Sequence, residues 1–242
     1  MTGPSARGDA RGAAGGTWAI VPLRGLGSAK TRLGTALDAE ERLELVIGMV
    51  SQTLVATRDA DSIAGTVLVT ADVAAADLAQ TFGARTLVQR LPGLNAALRE
   101  ARAEAVRAGA TATIVIPIDL PAIDASGLDG LLADIARASR RAGTGADARG
   151  GTGAVVAVVP DRHGLGTNVL YTSPPGAIDP AFGEGSLAAH RAAAVAAGAQ
   201  MFEFGGPLVL DVDTGDDLLA AESGSVGTRF GDPAQQGRGD AA

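Results

Sequence analysis

Thr111-Ala112-Thr113-Ile114-Val115-Ile116-Pro117-Ile118-Asp119-Leu120-Pro121 is the stretch that decides the fold. From Thr111 to Ile118 no charged residue interrupts a run of β-branched and apolar side chains. Such a run suits a strand buried on both faces, at the centre of a parallel sheet. It ends in Asp119, which the following Leu-Pro holds in a turn. Open α/β sheets bind ligands outside the carboxyl ends of their strands. The stretch therefore points to an architecture and to the edge where chemistry is expected.

Outward from it, strand and helix patterns alternate. Thr17–Pro22 reads as a first strand. Asp38–Thr57 reads as a helix, with Asp38 as N-cap, Glu40 and Glu41 in its first turn and a stripe of Leu43, Val46, Ile47, Val50 and Leu54. Thr66–Thr70 is a short strand, and Val73–Phe82 a helix closed by Gly83. Arg85–Val88 is a strand, and Leu94–Ala108 a helix stopped by Gly109. Gly127–Arg141 is the next helix. The second half is less regular: strands at Gly153–Val159 and Asn168–Tyr171, an Ala-rich helix at Ser186–Gly198, short strands at Met201–Phe204 and Leu208–Val212, and a last helix at Gly215–Glu222. The order predicts an α/β fold with a mostly parallel, doubly wound sheet in one domain over residues 17–222. Residues 1–16 and 223–242 read as disordered tails, and Ala142–Gly153 as a flexible surface loop.

Composition narrows the function. The 242 residues are 46% hydrophobic but only 3% aromatic, and much of the apolar content is Ala, which packs helices closely on a sheet. There is no Cys, so thiol chemistry, disulfides and Cys-based metal sites are excluded. A net charge of −7 without a basic block argues against nucleic acid as a partner. No apolar run approaches the ~18 residues of a membrane span, and the N-terminus lacks the apolar core of a secretory signal. The expected location is the cytoplasm.

Five polar clusters fall where strands are expected to end. The first is Arg24-Gly25-Leu26-Gly27-Ser28-Ala29-Lys30-Thr31-Arg32, in which Lys30 is the only lysine of the chain. A small-residue loop with three cations after a strand is either a phosphate cradle or a solvated basic loop. The second is Asp119, a ligand for a hard cation such as Mg²⁺ or a cap on the turn near Asp124. The third is Asp211-Val212-Asp213, where alternation sets both carboxylates on one side of an extended chain. Either could complete a metal site, and Asp213 is also a plausible N-cap. The fourth is Phe182-Gly183-Glu184-Gly185-Ser186, whose glycines expose amides ahead of a helix and suit an anion. Thr167 adds a hydroxyl. The spacing of His163 and His190 argues against zinc, and His190 reads as a packing or supporting residue. The fifth is Gly93-Leu94-Asn95, where the Asn95 amide suits a base edge or a ribose unless it only opens a helix.

Together these segments resemble the 2-phospholactate and phosphoenolpyruvate guanylyltransferases of coenzyme F-420 biosynthesis. Seven motifs occur in that family's order over residues 17–222. They are Val21-Pro22, Ala29–Leu33, Gly93–Ala97, Asp119-Leu120-Pro121, Gly164–Asn168, Phe182–Ser186 and Asp211–Leu218. The resemblance implies a Rossmann-like nucleotidyltransferase fold, GTP as donor, Mg²⁺ as cofactor and phosphoenolpyruvate as acceptor, with a downstream transferase of the pathway as a partner. By motif, Thr167, Gly183 and Ser186 match the acceptor-binding residues. Arg24, Lys30, Gly93 and Asn95 are then expected at the nucleotide, Lys30 and Arg32 in catalysis, and Asp119 with Asp211 or Asp213 at the metal. The chain departs from the family in Arg24, where Lys is usual, and in Gly215, where Pro is usual. Other outcomes are a phospholactate acceptor, a pterin acceptor as in molybdenum-cofactor guanylyltransferases, or an inert nucleotide-binding protein.

Overall fold

The computed structural model describes residues 15–27, 37–143 and 153–212. Strands β1 (Gly16–Leu23), β2 (Ile63–Thr70), β3 (Arg85–Val88), β4 (Ala110–Val115), β5 (Val155–Pro160), β6 (Thr167–Ser173) and β7 (Gln200–Glu203) form one sheet in the order β3-β2-β1-β4-β6-β5-β7. β6 runs antiparallel to both of its neighbours, and the other pairings are parallel. Helices α1 (Ala39–Asp59), α2 (Val73–Thr81) and α4 (Ala125–Gly143) cover one face. α3 (Leu94–Arg107) and α5 (Ser186–Ala196) cover the other.

The sequence patterns account for these elements. Asp38 and Glu41 form a reciprocal capping box at the start of α1. Gly83 and Gly109, at φ 78° and 99°, end α2 and α3 in a conformation that L side chains rarely adopt. Alternation divides the central strands between the layers. Ile114 joins the α1/α4 side and Val115 the α3/α5 side. Gly65 is required on β2, because a Cβ there would lie within 2.8 Å of the Trp18 ring.

Two expectations change. The apolar run Thr111–Ile118 is central but not wholly parallel, since β6 pairs with β4 in the opposite sense. Leu208–Val212 is not a strand: Pro207–Val209 is a single 3₁₀ turn, followed by extended chain at Leu210. Pro207 has no amide to give to a ladder, and its fixed φ suits the first position of a turn. The tails, apart from Gly15 and Gly16, most of the 142–153 loop and the helix expected at Gly215–Glu222 lie outside the described residues.

The single reversed strand fixes where the site lies. Val115 stands opposite Leu170, so the start of β6 faces the same edge as the carboxyl ends of β1 and β4. Thr167 and Asn168 therefore sit beside the turn that carries Asp119.

Candidate active site

A cavity of about 170 Å³ opens at that edge. Asp119, Asp211, Thr167 and Asn168 supply its polar lining; Pro22, Leu98, Val115 and Phe182 are among its apolar walls. The polar groups come from three separate segments, the turn after β4, the start of β6 and the chain after Pro207–Val209, so the cavity exists only in the folded chain.

Asp119 lies just past β4 in a turn closed by Ile123 N–H donating to Leu120 O at 3.2 Å. Gln52 of α1 grips the turn from below, its Nε2 donating to the carbonyls of Pro121 (2.9 Å) and Ile123 (3.2 Å). Asp124, rather than Asp119, caps α4, accepting from Gly127 N–H at 2.6 Å. Asp211 is brought alongside by Val212 N–H, which donates to Asp119 O at 2.9 Å. Asn168 steadies the same segment, its Nδ2 donating to Leu208 O at 3.0 Å. Asp119 and Asp211 thus share one cavity, whereas Asp213 lies outside the described residues. Among the described residues no cluster of three or more His, Cys, Asp or Glu could hold a metal ion. Two carboxylates with room for substrate oxygens fit Mg²⁺, which keeps several waters and takes few protein ligands.

The opposite wall is the segment leading into α5. Gly183 has φ 130°, and Gly185, the N-cap of α5, has φ 68°. The amides of Gly183, Glu184 and Gly185 donate to nothing among the described residues, whereas Ser186 N–H and Leu187 N–H are taken by the carbonyls of Gly183 and Leu165. Ser186 is buried on the face of α5 that carries His190 one turn further on. His190 in turn meets Thr167, with Nδ1 and Oγ1 3.0 Å apart. His190 thus links Thr167 of the cavity lining to α5, whose entry segment carries Phe182, also in the lining, followed by Gly183 and Ser186.

Asn95 is placed differently from the sequence expectation. Its Nδ2 donates to Phe182 O at 2.9 Å, and its Oδ1 accepts from Phe182 N–H at 2.8 Å. Both polar atoms clip the start of α3 to the Gly183 segment instead of facing a base. Arg102 adds to the tie, donating to Ile178 O at 2.9 Å and pairing with Asp179 at 2.6 Å. Gly93 is the N-cap of α3 at φ 99° with open space around it. Arg24 is exposed at the end of β1, and Asp72 of the α2 cap holds the following loop through Leu26 N–H at 3.0 Å. Lys30 and Arg32 lie outside the described residues. Gln52, Asn168 and the paired bonds of Asn95 were not legible beforehand, because each acts on the backbone of a segment remote in sequence.

The fold, with the cavity at its edge, has a counterpart among solved structures. A solved structure from Desulfovibrio desulfuricans G20, described as a nucleotide-diphospho-sugar transferase, matches with a TM-score of 0.62 at 16% identity, over 84% of this chain and 85% of that one. The particular family follows from sequence. A family model described as "Guanylyl transferase CofC like" matches residues 17–221, and the chain belongs to that family. Phosphoenolpyruvate guanylyltransferase of Sphaerobacter thermophilus is 37% identical over 84% of this chain and 90% of its own length. Phosphoenolpyruvate guanylyltransferase of Rubrobacter xylanophilus is 36% identical over 86% and 95%.

Proposed function

We propose that the protein transfers a guanylyl group from GTP to the phosphate of phosphoenolpyruvate, giving enolpyruvoyl-2-diphospho-5'-guanosine and pyrophosphate on the route to coenzyme F-420. The observation that carries this reading is one cavity with two carboxylates on one side and Thr167 beside the α5 entry on the other. The names of the similar proteins support the choice of substrates.

An oxygen of the acceptor phosphate bonds to the α-phosphorus of GTP as the bond to the pyrophosphate oxygen breaks. That oxygen is already anionic, so no side chain has to remove a proton. The barrier is the approach of two polyanions in line. Thr167, Ser186 and the amides around Gly183 hold the acceptor, and Asn95 keeps that segment at a fixed distance from α3. Mg²⁺ held by Asp119 and Asp211 would neutralise phosphate charge. Lys30, Arg32 and Arg24, all following β1 in sequence, are the cations that would meet the triphosphate, with Gly93 also assigned to the nucleotide. In a chain of net charge −7 these cations are the local counterweight.

Pyrophosphate release tests the reading, with ATP, GTP, CTP and UTP each offered phosphoenolpyruvate or 2-phospholactate. Release is expected with GTP and phosphoenolpyruvate. Release only with phospholactate moves the acceptor, and GTP binding without release from any pair refutes the transferase reading.

A further inference from the structure

His190 is fully buried on α5, and both of its ring nitrogens are engaged. Nε2 lies 3.0 Å from the backbone nitrogen of Ala181. An amide N–H can only donate, so Nε2 accepts. The single hydrogen of a neutral imidazole is then on Nδ1, which lies 3.0 Å from Thr167 Oγ1. A hydroxyl that receives a hydrogen bond along that direction turns its own hydrogen elsewhere. No acceptor for the Thr167 hydrogen exists among the described residues, and Thr167 lines the cavity.

We propose that His190 is a positioning residue that makes Thr167 an obligate hydrogen-bond donor toward an anionic oxygen of the acceptor. The inference deepens the proposed function and rests on its placement of the acceptor at Thr167. A threonine without this partner accepts and donates indifferently. With it, the hydroxyl offers a donor to an anionic phosphate or carboxylate oxygen and discriminates against a ligand group that only donates. The same ring holds Ala181 N–H and packs edge-on against Phe182, with ring centroids 5.2 Å apart at 72°. One side chain thus sets both the hydroxyl and the root of the Gly183 segment. A charged ring would carry hydrogen on both nitrogens and drive one against Ala181 N–H. Burial agrees, lowering the His190 pKa to about 4.

The tests use the full chain. It has only two histidines, so ¹⁵N-histidine labelling gives two resolvable rings. One ring is expected as the neutral Nδ1–H tautomer at pH 7; an Nε2–H tautomer or a charged ring in both would overturn the proposal. For kinetics, His190→Phe removes both polar contacts and His190→Asn restores a donor near the Nδ1 position. His190→Phe is expected to raise the phosphoenolpyruvate KM at least tenfold with the GTP KM within twofold, and His190→Asn to recover part of that rise. Equal rises in both KM values, or no recovery in a folded Asn variant, would reduce His190 to packing. If His190→Phe does not fold, His190→Asn and His190→Gln decide the matter: Gln reaches Ala181 but places no donor at Thr167, so its phosphoenolpyruvate KM must exceed that of Asn. A wild type silent toward both acceptors would refute the substrate reading, and the ring tautomer would still decide this one.

Discussion

Asn95→Ala separates a residue that holds the fold from one that reads a nucleotide. The substitution removes two hydrogen bonds, of 2.9 and 2.8 Å, and leaves the N–H and C=O of half-buried Phe182 without them. At about 1 kcal/mol net for each bond the loss is about 2 kcal/mol. Ala is the better helix former in the first turn of α3, which returns roughly 0.5 kcal/mol. The remaining ~1.5 kcal/mol corresponds to a melting temperature lower by roughly 3–6 °C in a chain of this size. Thermal unfolding by circular dichroism measures the first quantity, and steady-state pyrophosphate release measures the second effect. The phosphoenolpyruvate KM should rise, because the loosened segment carries Gly183 and leads to Ser186. The preference among nucleoside triphosphates should not change. An unchanged melting temperature together with a relaxed preference for GTP would refute the reasoning and return Asn95 to the base.

The other predictions concern the carboxylates, the lone lysine, the acceptor wall and pH. Asp119→Asn and Asp211→Asn should fold normally and lose most turnover, because metal-borne charge stabilisation contributes several kcal/mol; near-normal turnover in either folded variant would remove that residue from the metal site. Lys30→Ala should lower kcat more than it weakens acceptor binding, with only partial recovery in Lys30→Arg, since a planar fork replaces a point charge; full activity in Lys30→Ala would leave the lysine without a role. Ser186→Ala should raise the phosphoenolpyruvate KM roughly tenfold, the equivalent of one hydrogen bond to an anion, and Gly183→Val should do worse because φ is 130° there; a weakened GTP affinity with unchanged acceptor KM would reassign the wall. Burial lowers the His190 pKa from 6.5 to about 4, so below pH 6.5 the unfolded ring gains a proton that the folded ring refuses. Stability is thus lost as pH falls from 6.5 toward 4, by about 2 kcal/mol at pH 5 from this group. Urea unfolding at pH 7.5 and pH 5 should show that extra loss in the wild type but not in His190→Phe, and equal losses would contradict it.

Most of the sheet was legible because its signals are local. Capping at Asp38, glycines after helices and the β-branched run at Thr111–Ile118 each act within a few residues. The reversal of β6 was not legible, since strand direction depends on which edge a segment meets after a loop. The site divides in the same way. Asp119 announced itself as a charge at the end of an apolar run, whereas the approach of Asp211 to it depends on Val212, which pairs with the Asp119 backbone, and Asp213 lies outside the described residues. Asn95 was misplaced because an amide beside a helix start looks the same whether it faces a ligand or a backbone. Its partner is 87 residues away. His190, read as supporting, gained a definite task only when Ala181 fixed which nitrogen carries the hydrogen.

The reversed strand also bears on how the chain is made. When β4 is synthesised its partner β1 already exists, but the partner of its other edge, β6, does not. At ~5–20 residues per second, the roughly fifty residues between them take several seconds to leave the ribosome. During that interval a four-stranded sheet would display the unpaired backbone of Thr113 and Val115, the kind of edge on which chains aggregate. A truncation ending after α4 would keep that edge permanently and is expected to aggregate more than the full chain. Ribosomal pauses placed before Ser173 should therefore lower the soluble yield more than pauses placed after it.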